Sequence, residues 1–156
     1  MYLSLNWVKN WIKLPKDITA KQIADDLTMA TVEVEEIIDQ AARLENIVVG
    51  KIEAITKHPQ ADKLQVVEVK ISQETVKVVC GGSNLRQGML VAFAKVGSYV
   101  KWHGEGELVK LESAKIRGIK SDGMIAAASE IGLANLFPQA SETEILDLSN
   151  FKLKTG

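Results

Sequence analysis

One cysteine, Cys80, and two histidines, His58 and His103, are all this chain offers in thiol or imidazole ligands. A single thiol excludes an internal disulfide and a multi-cysteine zinc site. Two histidines leave little from which to build a His-based metal site or a Ser-His-Asp centre. The longest unbroken apolar run, residues 89–94, is far short of the ~20 residues that span a bilayer. The opening Met-Tyr-Leu-Ser-Leu-Asn-Trp has no basic region followed by an apolar stretch, so no secretory leader and a cytoplasmic location are expected. What is present is ordinary: 156 residues, 46% apolar and 25% charged, fit one soluble domain or one domain with a small appendage.

The net charge of -1 conceals a division along the chain. Residues 1–39 carry four Lys/Arg against seven Asp/Glu, a net of -3, and residues 40–156 carry fifteen against thirteen, a net of +2. Basic groups of the larger part recur near turns, at Lys57, Lys63, Arg86, Lys95, Lys101, Lys115, Arg117 and Lys120. That balance allows a positive face but is far from a strongly basic DNA-binding domain. For scattered charges taken alone, a plain solvated surface is the better explanation.

Residues 1–39 read as two short helices and a strand. Ser4 caps a helix with Leu5, Val8, Trp11 and Ile12 at helical spacing, and Pro15 stops it. Thr19 and Gln22 have the spacing of a capping box, opening a helix with Ile23 and Leu27 on one face. Residues 31–39 are β-rich. From residue 46 short strands take over: 46–56 with Gly50 suggesting a bulge or bend, then 64–70, 75–80, 89–94, 110–117 and 123–128. Five or six such strands predict a small antiparallel barrel or sandwich. Residues 134–138 and 141–147 read as an irregular return.

Three loop clusters carry chemistry. They are Lys57-His58-Pro59-Gln60-Ala61-Asp62-Lys63-Leu64, the stretch 80–88 around Gly81-Gly82-Ser83-Asn84-Leu85-Arg86, and the stretch 115–124 with Ser129-Glu130 just beyond. Each has a local explanation. Pro59 holds His58 extended in a turn, Gly81-Gly82 suits a turn with positive φ, and Cys80 suits the core. The glycines are not a phosphate-binding loop, because its Lys and Ser/Thr are missing.

Together, the clusters resemble the tRNA-binding domain shared by several aminoacyl-tRNA synthetases and free-standing tRNA-binding proteins. The matching motifs are H-P-x-A-D-x-L at 58–64, an Asn-containing Gly-rich loop at 81–86, and a basic R-G-x-x-S-x-G-M segment at 117–124. With Ser4-Leu-Asn-Trp-Val8, a helix carrying Leu27-Thr28, and Val32-Glu-Val-Glu35 just ahead of the barrel part, residues 1–39 are similar to the start of the bacterial phenylalanyl-tRNA synthetase beta subunits. Departures from the pattern are Thr31 where glycine is usual, Ser72-Gln73-Glu74 in place of a glycine turn, and no proline in 98–108.

The resemblance implies a mainly β fold, a five-stranded OB-fold Greek-key barrel over residues 40–150. A small α/β appendage would occupy 1–39 and a return segment would start at 151–156. It implies tRNA as partner, with Lys57, His58, Lys63, Asn84, Arg86, Lys115, Arg117, Lys120, Ser121 and Met124 as RNA-binding residues. The lysines and Arg117 would meet phosphates, and Asn84, Ser121 and Met124 would lie nearer the RNA. Few aromatics favour recognition by shape and backbone over base stacking. No catalytic residue, metal or cofactor is expected here. The full enzyme would use ATP and magnesium and pair with an alpha subunit in a heterotetramer, without membrane or DNA. A free-standing tRNA-binding protein or chaperone and a purely structural OB module are the alternatives.

Overall fold

The computed structural model describes residues 2–39 and 41–156, in two compact units divided at residue 39. Gln40, expected to open the barrel domain, lies outside the described residues.

In the first unit, α1 (Leu5–Val8) is capped by Ser4, whose Oγ accepts from Trp7 N at 3.4 Å. It is shorter than expected: beyond Val8 the backbone tightens, with Asn10 N donating to Trp7 O, and only turns continue toward Pro15. Helix α2 (Ala20–Ala30) opens with the expected capping box, in which Gln22 N donates to Thr19 Oγ1 at 3.2 Å and Thr19 N to Gln22 Oε1 at 2.9 Å. The β-rich stretch 31–39 is not a strand. A strand exists by pairing, and this segment has no ladder partner among the described residues. Thr31 has φ -143°, so the β-branched residue in place of glycine meets no left-handed conformation.

The second unit is mainly β, a five-stranded antiparallel sheet curled into an OB-like barrel, with neighbour order β3 (Glu74–Cys80), β2 (Gln65–Ile71), β1 (Ile47–Lys57), β4 (Leu90–Ala94), β9 (Met124–Ile125). The long β1 serves both sides. Its first half pairs with β4 and its second half with β2, and a bulge between Ile52 and Ala54 bends it. Gly50, expected to mark that bend, sits before it for another reason: a Cβ there would collide with Val69 Cγ1 in the core. Strand β4 is buried on both faces, which explains its continuous apolar run. Val91 and Phe93 enter the barrel core with Ile52, Val67, Val69, Val78 and Ile125. Ala92 and Ala94 face a second cluster with Val100, Leu111, Ala126, Ala128, Ile131 and Leu146.

The connection from β4 to β9 is where sequence and structure part. The expected strand over 110–117 is two pieces of different hairpins. β5 (Tyr99–Lys101) pairs with β6 (Leu108–Lys110), and β7 (Ala114–Ile116) pairs with β8 (Ile119–Ser121). Three-residue strands are too short for a period of two to register in sequence. The strand expected over 123–128 pairs only at Met124 and Ile125. The return segment is irregular as expected; it meets the sheet at an isolated bridge from Asp147 to Val91, with Leu148 N donating to Leu90 O at 2.8 Å and Leu90 N to Ser149 Oγ at 3.1 Å.

Candidate functional site

Strand β1 ends at Lys57, and His58 N donating to Leu64 O at 3.1 Å closes the turn that follows. His58 is only 5% exposed. Its Nδ1 accepts from Gln60 N at 3.1 Å, so the proton belongs on Nε2, which donates to Ile116 O at 3.2 Å. Ile116 ends β7. The next two residues, Arg117 and Gly118, have φ 44° and 90°, a two-residue hairpin turn of the I′ kind. From that turn Arg117 donates back to Gln60 O at 2.8 Å. The first loop of the barrel and its last long connection are thus fastened by one bond in each direction. Around this junction Lys57, Lys63 and Lys115 are exposed and form no ion pair among the described residues.

The other expected site residues are more occupied. Ser121 is 4% exposed, accepts from Val79 N at 3.1 Å and donates to Gly123 O at 3.1 Å. With Asp122 N donating to Lys77 O, it draws β8 against β3 and closes the curl of the sheet. Lys120 pairs with Asp122 at 2.9 Å. The Ser113 hydroxyl at 2.6 Å, then Lys120, hold the Asp122 carboxyl below its ordinary range. Met124 is half-buried against the second apolar cluster.

The Gly-rich loop after β3 is sewn to the return segment. Asn84 donates to Ile145 O at 2.8 Å and accepts from Ile145 N at 2.9 Å, copying a backbone bridge with its side-chain amide. Ser83 N donates to Thr143 O, and Arg86 pairs with Asp147 at 2.6 Å. Gly82 is not in a positive-φ turn as expected. It is glycine because a Cβ would lie 2.5 Å from Ile145 Cγ1. Cys80 lies buried behind this loop, and burial pushes its thiol up to about 11, which keeps it protonated and unreactive.

The ten expected residues therefore divide by geometry. Lys57, Lys63, Lys115 and Arg117 are exposed around the joined loops. Arg86 and Lys120 are exposed but ion-paired, His58, Asn84 and Ser121 direct their polar atoms inward, and Met124 packs half-buried against the second apolar cluster. Sequence reading missed the inward partners, Gln60, Ile116, Thr143, Ile145 and Asp147. Most of these bond through their backbone, which leaves no mark on residue type. Among the described residues no group of three His, Cys, Asp or Glu is placed to hold a metal ion. The Gly-rich loop lacks the lysine of a phosphate-binding P-loop. No helix among the described residues is long and apolar enough to cross a membrane.

Such a barrel, with a cationic rim where its first loop meets its last connection, defines an OB-type module of the kind that binds polyanionic chains through those two loops. The chain belongs to the family described as "Putative tRNA binding domain", whose model matches residues 47–150. It is similar to proteins named phenylalanine–tRNA ligase beta subunit. That of Oceanobacillus iheyensis is 40% identical over 85% of this chain and 16% of the relative. Those of Synechococcus elongatus and Staphylococcus saprophyticus are 39% and 34% identical, over 89% and 100% of this chain and 17% and 19% of theirs. The chain thus spans roughly a sixth of the length of the curated relatives it matches.

Proposed function

We propose that this chain binds tRNA through the joined loops of its barrel, with Lys57, Lys63, Lys115 and Arg117 meeting phosphates. The observation that carries this reading is the His58–Ile116 and Arg117–Gln60 fastening, which holds three unpaired lysines and an arginine along one rim. His58, Asn84 and Ser121 shape the loops rather than touch the RNA, and Arg86, Lys120 and Met124 stand at the margin. By similarity to the beta subunits, the module belongs to a phenylalanine–tRNA ligase in the cytoplasm. There it works beside an alpha subunit in a heterotetramer that uses ATP and magnesium. It supplies RNA binding or architecture, not chemistry. On this reading residues 1–39 are part of that subunit's first domain, 40–150 the binding module, and 151–156 the start of a return segment.

A second reading, a purely structural module, is favoured by the internal pairing of Arg86 and Lys120. Titration of labelled tRNA at several salt concentrations separates the two. Phosphate contacts make log K fall linearly with log salt, and replacing Lys63 and Lys115 with Ala should flatten that slope by about two contacts' worth. Absence of binding at low salt would leave the structural reading.

A further inference from the structure

The hairpin that carries the Arg117 turn sets two lysines against each other. β7 pairs with β8 so that Lys115 stands directly opposite Lys120. Residues so placed share a face with Cβ atoms about 5 Å apart, and like charges there repel. Ser113 and Asp122 continue the register away from the turn on that same face. Their side chains meet, with Ser113 Oγ donating to Asp122 Oδ1 at 2.6 Å. The other carboxylate oxygen, Oδ2, holds Lys120 Nζ at 2.9 Å. Asp122 N donates in turn to Lys77 O in β3, so this carboxylate is fixed through both its backbone and its side chain. Lys120 is not fixed, and its side chain is 71% exposed. Lys77 and Lys95 share a cleft with Asp122. Among the described residues, however, Lys77 pairs with Glu68, and Lys95 and Lys115 pair with no carboxylate. A solvated hairpin gains from opposite charges at a cross-strand pair. This one carries like charges and neutralises only one of them, from a fixed neighbour.

We propose that Asp122 is a built-in counter-ion that competes with RNA for Lys120. It occupies the lysine in the free chain, and a phosphate of the bound RNA displaces it, so that Lys115 and Lys120 meet the backbone as a pair. The proposal rests on the tRNA-binding reading above and moves Lys120 from the margin of the rim into it. An exposed ion pair is weak because water screens it, whereas an RNA backbone brings many phosphates and releases counter-ions as it binds. Ser113 keeps its bond to Asp122 when Lys120 leaves, so the carboxylate is not stranded. Displacement costs the same for every ligand and is offset only by one that meets several rim cations at once. Asp122 therefore discriminates against isolated phosphates and acidic side chains and favours a continuous polyanion.

The test is a double-mutant cycle on the whole chain, with labelled folded tRNA titrated at several salt concentrations. Asp122→Asn keeps an acceptor for Ser113 and removes the charge. It should tighten binding roughly two- to fivefold at low salt, the value of an exposed ion pair, and steepen the salt slope by about 0.9, the duplex value for one phosphate. In a Lys120→Ala background the same substitution should have little effect. Glu112→Gln removes a charge of the same sign that is exposed and pairs with no cation among the described residues, and its effect should also be small. With Asp122 intact, Lys120→Ala should lower the slope less than Lys115→Ala does, a comparison that holds even if the Asp122 variant folds poorly. Tightening by Asp122→Asn that is as large without Lys120 as with it, or no tightening at all, overturns the exchange while leaving tRNA binding in place. Equal slope losses at Lys115 and Lys120 overturn it likewise. If the parent binds no tRNA at low salt, the tRNA-binding reading falls and the exchange with it.

Discussion

The Arg117 guanidinium donates to the Gln60 carbonyl at 2.8 Å from a backbone held at φ 44°. Left-handed backbone is uncommon for a long side chain, and the first position of a I′ turn favours Asn, Asp or Gly. Arginine is therefore there for its side chain, at a conformational cost of order 1 kcal/mol. Arg117→Asn should leave thermal stability within about 1 kcal/mol of the parent, because relief of the backbone offsets the lost exposed bond. It should nonetheless weaken tRNA binding and lower the salt slope by about one. Unchanged RNA affinity would mean that the guanidinium serves only to fasten the loops.

His58 carries the reciprocal bond, and its effects should be read in stability first. His58→Ala removes the acceptor of Gln60 N–H and the donor to Ile116 O at a buried site. Leaving such groups unpaired costs about 1–3 kcal/mol each before water replaces the bond. Urea unfolding should show a loss of that order, and native-state amide exchange should quicken at Gln60 more than in β2. Parent-like protection at Gln60 would show that the ring is not what orders the turn.

How much of this was legible depended on whether a residue's role is written in its type. The capping box at Thr19 and Gln22 could be read because both partners are side chains at fixed spacing. The strands β1 to β4 were long enough for apolar patterning to show. The double-faced burial of β4 was visible as a run, 89–94, although only the structure shows why alanines occupy one side. The hairpins of the last connection were not legible. Their strands are three residues long, and Tyr99-Val100-Lys101 shows no alternation that a loop could not also show. Asn84 and Ser121 stood out for the right loops, yet their inward bonding was hidden because their partners, Ile145 and Val79, bond through the backbone.

Glu130 gives a pH dependence of defined sign. Burial raises its pKa, opposed by the Ala127 amide at 2.8 Å and by the His103 ring and backbone. The folded carboxyl thus keeps its proton at a pH where the unfolded one, near 4.3, has begun to lose it. Its contribution to stability is fullest below that value and is lost as pH rises through the folded pKa. Glu130→Gln preserves an acceptor for Ala127 N but does not titrate. The stability of the parent relative to this variant should therefore increase as pH is lowered from 7 toward about 4, measured by urea unfolding at each pH. A difference that moves the other way would mean that the charge is stabilised in the fold.

Ser121 separates an inward role from an outward one most sharply. Its hydroxyl accepts from Val79 N and donates to Gly123 O, holding β8 to β3 where the sheet curls closed without a continuous ladder. If that is its role, Ser121→Ala strands a buried backbone N–H and should cost about 1–3 kcal/mol, with the denaturant slope unchanged because the same surface is exposed on unfolding. The folded variant should bind tRNA as the parent does, since the rim cations Lys57, Lys63, Lys115 and Arg117 are untouched. An RNA-contacting hydroxyl predicts the reverse, with stability near that of the parent and affinity reduced. Ser83→Ala is the control on an exposed hydroxyl of the neighbouring loop, with an expected change within about 0.5 kcal/mol. Equal losses at the two positions would remove Ser121 from the closure of the barrel.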